Sequence, residues 1–299
     1  MDNNITVRFF RIRPNHRTVP PFEEALGQIF ASSVSPVERE QDVGLGGGSV
    51  ILRLERFVQD GQFVAGEMVR RQTRNFPPEA NDDGLNLLPL SDGGGLGHCA
   101  AFRYSIPLGI IAIQFDNRAV SMGRMLAYMR EFDIHADYAA DALVREDSWA
   151  RYGRGQPRKL SFTIAQPQNL GEVEGNVHSA VESSRRLAEL YNAPIITVEV
   201  SMGRRDGHLN GGYIRRFIRY LTSDAAAGSD VRNIEVNVKP DDGGEVETIN
   251  FLDELLRVKS TLDLPDDDID RNYKIRSKFV RTCFNENLPY MREVYGDEA

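Results

Sequence analysis

From Ile5 to Arg13, apolar positions recur with period two. Ile5, Val7 and Phe9 fall on one face and Phe10 and Ile12 on the other before Pro14 interrupts, which predicts a first strand ended by a turn. After Pro20 and Pro21 the spacing changes. Phe22, Leu26, Ile29 and Phe30 recur at helical intervals, with Glu23 and Glu24 in a first turn where the helix dipole favours negative charge. Two β-type runs, Ser49 to Phe57 and Phe63 to Arg71, flank an Asp60-Gly61 turn and predict a hairpin. The stretch from Thr73 to Gly97, rich in Pro, Gly, Asn and Asp, predicts an exposed irregular loop. Strands are then expected over Cys99 to Ser105 and Gly109 to Asp116, followed by a helix from Ala119 to Phe132 that presents Met122, Leu126 and Met129 on one side.

The glycine- and arginine-containing stretch Ser148 to Pro157 is expected to be a hinge. It divides the chain into an N-terminal mixed α/β domain, residues 1–150, and a C-terminal α/β domain, residues 151–299. In the second half, Leu160, Phe162 and Ile164 alternate with polar neighbours, and a helix is expected from about Val173 to Tyr191. The nearly continuous apolar strand Ile195 to Val200 follows, then a helix over Tyr213 to Leu221 and a strand carrying Ile234, Val236 and Val238. A hairpin strand from Val246 to Phe251 and a short helix come next. Asp266, Asp267 and Asp268 then predict the cap of a last helix running from Ile269 to about Asn287, before Pro289. The fold class is mixed α/β: two halves of strands and helices with a C-terminal helix.

Composition narrows the setting. With 41% hydrophobic and 27% charged residues the chain can bury a packed core, which excludes disorder of the whole chain. It has no apolar run long enough to span a bilayer, and Met1-Asp2-Asn3-Asn4-Ile5 lacks the basic and apolar regions of a signal peptide. Membrane insertion and export are therefore not expected. The two cysteines, Cys99 and Cys283, lie far apart, which disfavours a structural zinc site or a disulfide framework and fits a reducing cytoplasm.

The motifs that invite chemistry fail their context. The clusters Gly44 to Ser49 and Gly93 to Gly97 lead into strands, whereas phosphate loops and dinucleotide fingerprints lead into helices. His98 and Cys99, adjacent on a strand, point to opposite faces and cannot form a nucleophile dyad. Glu235 and Lys239 share a strand face, but about 13 Å of strand separates them. Asp266 to Asp268 serve a helix N-terminus without needing a cation. No catalytic residue, metal ligand or cofactor is assigned.

Charge distribution is more informative. The chain carries a formal −8, yet Arg151 to Arg219 holds eleven basic and six acidic residues, so that segment is +5 and the remainder −13. Such segregation favours contact with a polyanion, where each phosphate neutralised releases counterions. The amphipathic helix Tyr213 to Leu221 presents Arg215, Arg216 and Arg219 opposite a stripe of Ile214, Phe217, Ile218 and Leu221. The preceding loop offers Arg204 and Arg205, while Arg158 and Lys159 extend the expected nucleic-acid-binding surface. A solvated arginine face, a protein-docking face and a metal-dependent nuclease assembled from distant carboxylates are the competing readings.

The layout resembles phage-exclusion and anti-phage defence proteins of the RexA and KwaB kind. The shared plan is an apolar strand, Gly109 to Phe115, leading to the helix Met122 to Met129, then a second half opening on the strand Arg158 to Ile164 and closing in a helical tail. The resemblance implies a non-catalytic nucleic-acid-binding sensor or effector, with DNA favoured over RNA. It also implies self-association and a possible second defence-system protein as partner.

Overall fold

The computed structural model describes residues 2–45, 48–116, 118–167, 170, 178–222 and 230–296. The first turn expected of the helix from Val173, Gly46 and Gly47 of the first glycine cluster, and Glu172 and Glu174 of the charge count lie outside the described residues. In chain order, the first half contains β1 (Asp2–Pro14), α1 (Phe22–Ala31), β2 (Glu40–Leu45), β3 (Gly48–Asp60), β4 (Phe63–Gln72), β5 (Glu79–Asn81), β6 (Gly84–Asn86), β7 (Leu96–Ser105), β8 (Ile110–Phe115), α2 (Met122–Phe132), β9 (Tyr138–Ala142) and α3 (Glu146–Gly153). Then come β10 (Gly155–Ala165), α4 (His178–Leu190), β11 (Ile195–Ser201), α5 (Gly211–Thr222), β12 (Asp230–Pro240), β13 (Glu247–Asn250), β14 (Arg257–Asp263) and α6 (Ile269–Tyr295). The mixed α/β class is thereby shown. Among the described residues, no helix is long and apolar enough to cross a membrane.

Eight strands form the first sheet, in the order β14-β1-β8-β7-β4-β3-β2 with β9 also paired to β1, and every pairing is antiparallel. Its two faces bury different sets. Phe10, Ile12, Leu54, Met68, Phe102 and Ile111 pack under α1 and α2. Val7, Phe9, Ala101 and Ile110 pack under α6 through Val280, Phe284 and Met291. Coverage on both sides explains why β8 is an unbroken apolar run, Ile110-Ile111-Ala112-Ile113.

The second sheet, in the order β11-β10-β12-β13, is also wholly antiparallel. Leu160, Phe162, Ile164, Val236 and Ile249 bury one face with Ile214, Phe217 and Ile218 of α5 and Val181 of α4. The opposite face is polar, with Thr163 bonded to Thr197 at 3.0 Å and Thr248 to Asn237 at 3.2 Å.

Several expectations change. The stretch expected as a hinge forms α3 and the start of β10, because Trp149 and Tyr152 pack on Phe251 with ring centroids 4.7 and 6.0 Å apart. The apolar strand β11 is an edge, with Ile195 44% and Val200 47% exposed. Where a short helix was expected after Phe251, turns lead into β14, which pairs with β1 from Asp2↔Asp263 to Arg8↔Arg257. The last helix continues through Pro289 to Tyr295. Met291 beyond the proline is fully buried, so tertiary packing outweighs the helix interior's penalty for proline, about 3 kcal/mol.

Residues 257–295, which the sequence places in the second half, therefore lie on the first sheet. The chain leaves that sheet and returns to it at one place: Leu256 N–H donates to Leu143 O at 2.7 Å, and Arg145 N–H to Glu254 O at 2.8 Å.

Candidate phosphate-binding cleft

The period-two geometry of β1 puts Arg11 and Arg13 on the same face as Phe9, and Tyr295 at the end of α6 lies beside Arg11. Across from them stands α5, whose buried stripe of Ile214, Phe217, Ile218 and Leu221 fixes its rotation. Arg215 and Arg219, one turn apart, consequently face the first sheet. Between the two elements lies a cleft of about 180 Å³. Four arginines, Arg11, Arg13, Arg215 and Arg219, line it together with Asp141 of β9, Trp149 and Tyr295.

Three of the four guanidinium groups are held by their surroundings. Arg215 sits over Trp149 and Tyr152, 5.3 and 5.6 Å from the ring centroids, and Arg11 lies 5.8 Å from the Tyr295 ring. Arg13 is ion-paired with Asp141. Burial pushes the Asp141 carboxyl above the usual carboxylate range, against the opposing pull of Arg13, Arg219 and Arg11. That one carboxylate senses arginines from β1 and α5 alike, so strand and helix contribute to a single electrostatic site. Burial also raises the Tyr295 phenol, opposed by the Tyr290 hydrogen bond and by Arg219 and Arg11. Four guanidinium groups against one carboxylate leave these lining residues at a formal +3.

Three other basic residues singled out from the sequence, Arg151, Arg158 and Lys159, have structural partners. Arg151 is engaged by Glu247 at 2.8 Å, Glu254 at 2.7 Å and Asp147 at 3.6 Å. Arg158 occupies an irregularity in the β10–β12 register and donates to the carbonyls of Gly207, Gly203 and Arg205. It pins the loop that displays the exposed Arg204 and Arg205 rather than extending the cleft. Lys159 pairs with Glu199 at 2.6 Å on the polar face of the second sheet, away from α5. Arg216 is exposed on α5 and is not among the cleft's lining residues. Of the seven predicted contacts the cleft gathers Arg215 and Arg219, and adds Arg11 and Arg13.

No protein-family model matches this chain, and no curated protein does. Its chemistry must come from its own geometry.

Guanidinium forks match phosphate oxygens bidentately, and aromatic edges beside them suit a nucleobase or sugar. The two thiols are muted. Burial pushes the Cys99 and Cys283 thiols up to about 11, so both remain protonated at neutral pH. His98 Nε2 lies 2.9 Å from Gln72 Oε1, and its pKa is lowered by burial and by Arg70 and Arg118. Among the described residues, no three His, Cys, Asp or Glu side chains are grouped to hold a metal ion.

Proposed function

We propose that this chain binds nucleic acid through the cleft between β1 and α5. It serves as a non-catalytic sensor or effector subunit in the anti-phage role that the resemblance to RexA-like and KwaB-like proteins implies. One observation carries the reading: four arginines, two from β1 and two from α5, converge beside two aromatic rings, with Asp141 the single carboxylate among the lining residues. Phosphate contacts supply affinity and little sequence preference, and the exposed Arg204 and Arg205 contribute from the neighbouring loop.

Fluorescence anisotropy with short labelled single-stranded DNA, RNA and duplex DNA, titrated at several salt concentrations, tests this. The expected result is binding whose log affinity falls linearly with log salt, and an affinity loss of about a hundredfold for Arg215→Glu/Arg219→Glu. Absence of binding at low salt, or an unchanged affinity for that variant, overturns it.

A further inference from the structure

The acidic remainder of the chain conceals a local reversal of charge. On α6, Lys274, Lys278 and Arg281 recur at intervals of four and three, which places them in one exposed stripe. That stripe faces the hairpin of β3 and β4 and the adjoining strand β7, whose Arg103 completes a group of four cations around a cavity of about 290 Å³. Asp60 at the hairpin tip is the single carboxylate among the lining residues. Tyr273 and Ser277 add two hydroxyl groups from the helix.

We propose that this cavity is a second phosphate-binding site, separate from the cleft between the two sheets. Arg103 is its anchor. Its guanidinium lies 4.1 Å from the Phe63 ring centroid, and that ring is packed edge-on against Phe284 of α6 at 5.9 Å. Its Nε–H is buried with no hydrogen-bond acceptor among the described residues. Burial disfavours its charge, Arg281 adds repulsion, and Asp60 alone opposes them. A guanidinium with an unpaired buried Nε–H, facing three more cations and one carboxylate, carries an excess of positive charge that a multiply charged anion would neutralise. The lining offers chiefly donors, which selects phosphate over a cation or a neutral ligand. Along α6, Lys278 and Val294 of the first cleft are sixteen residues apart, a rise of about 24 Å, so one phosphate group cannot occupy both sites. The ligand is either a backbone segment of nucleic acid or a free polyphosphate.

The experiment uses inorganic tripolyphosphate and isothermal titration calorimetry on the full chain. In an Arg215→Glu/Arg219→Glu background, which removes the first cleft's α5 cations, binding should persist. Adding Lys274→Glu/Lys278→Glu/Arg281→Glu should weaken it by about tenfold or more; these three side chains are exposed, and Lys274→Gln/Lys278→Gln provides a milder version. No tripolyphosphate binding in the first background, or binding indifferent to the α6 substitutions, overturns the proposal. Equal binding by the wild type and the α5 variant would instead count against the first cleft while leaving this one standing. A single-stranded oligonucleotide separates the two sources. A salt slope reduced by about 0.7 per lost contact in the α6 variant identifies a nucleic-acid strand as occupant, whereas unchanged oligonucleotide affinity with lost tripolyphosphate binding identifies a free polyphosphate.

Discussion

Replacing Arg276 by methionine should detach a buried polar anchor between α6 and the first sheet. Its guanidinium donates to Glu67 Oε1 at 2.5 Å, Gln114 Oε1 at 3.2 Å and Asn272 Oδ1 at 2.7 Å. Among the described residues Glu67 retains Arg56, at 3.3 Å, as its one ion-pair partner once Arg276 is gone. The side chains of Arg276 and Glu67 are 6% and 2% exposed, so water cannot substitute for the lost partner. Breaking such a pair from one side costs about 3–5 kcal/mol, a large share of the roughly 5–15 kcal/mol by which a folded chain is stable. At about 2 °C per kcal/mol for a chain of this size, the melting temperature should fall by about 6–10 °C. Urea denaturation followed by circular dichroism, with hydrogen exchange along α6, measures both the loss and its location. Glu67→Leu/Arg276→Met should recover most of it, since removing both charges leaves no ion orphaned. A loss below about 1 kcal/mol for the single variant, or a double variant as unstable as the single one, refutes the reasoning.

Two further outcomes follow from the geometry. Asp141→Asn should tighten oligonucleotide binding, because it removes the cleft's lining carboxylate and releases Arg13. In the unmodified protein the raised Asp141 pKa means that acidification protonates it above the ordinary carboxylate range, so binding should strengthen there and the Asn variant should lose that pH dependence. A carboxyl whose folded pKa is raised contributes stability below its unfolded pKa that is lost as pH rises through the folded one, so the substitution should not destabilise the neutral protein. Gly66→Ala should lower stability by about 1–3 kcal/mol in urea titrations, because its Cβ would overlap the Arg56 carbonyl oxygen and the Phe102 ring where β3 shifts register.

What the sequence made legible were elements whose period is decided locally. The β3–β4 hairpin turns at Asp60 and Gly61, whose φ of 57° suits glycine, and α5 shows its apolar stripe whatever it packs against. Asp268 caps α6 by accepting the Arg271 N–H at 2.8 Å, as its place before the helix indicated. Features set by distant partners stayed hidden. Arg11 and Arg13 are the polar half of an alternating strand, and nothing near them announces that Arg215 and Arg219 will face them. Trp149, Tyr152, Gly153 and Gly155 have the composition of a linker, yet Phe251 gives the aromatic pair a surface to pack on. Proline at 289 is a helix-stop signal that local rules read correctly and the buried Met291 overrides. Counting charges along the chain was similarly limited, because Arg151 draws its counter-ions from Glu247 and Glu254, far away in sequence.

The pairing of β1 with β14 bears on how the chain comes off the ribosome. Asp2 finds its partner in Asp263, so β1 must wait until Asp263 itself has been synthesised before its pairing with β14 is complete. At about 5–20 residues per second that delay is tens of seconds, long enough for the intervening sheet, whose pairings β10 to β13 are all internal, to form before the sheet that encloses it in sequence. During that interval the apolar side of β1 and β8 lacks α6, and nascent chains would be vulnerable to aggregation and in need of chaperone cover. Biogenesis, more than the finished fold, is where this arrangement exposes the protein to failure.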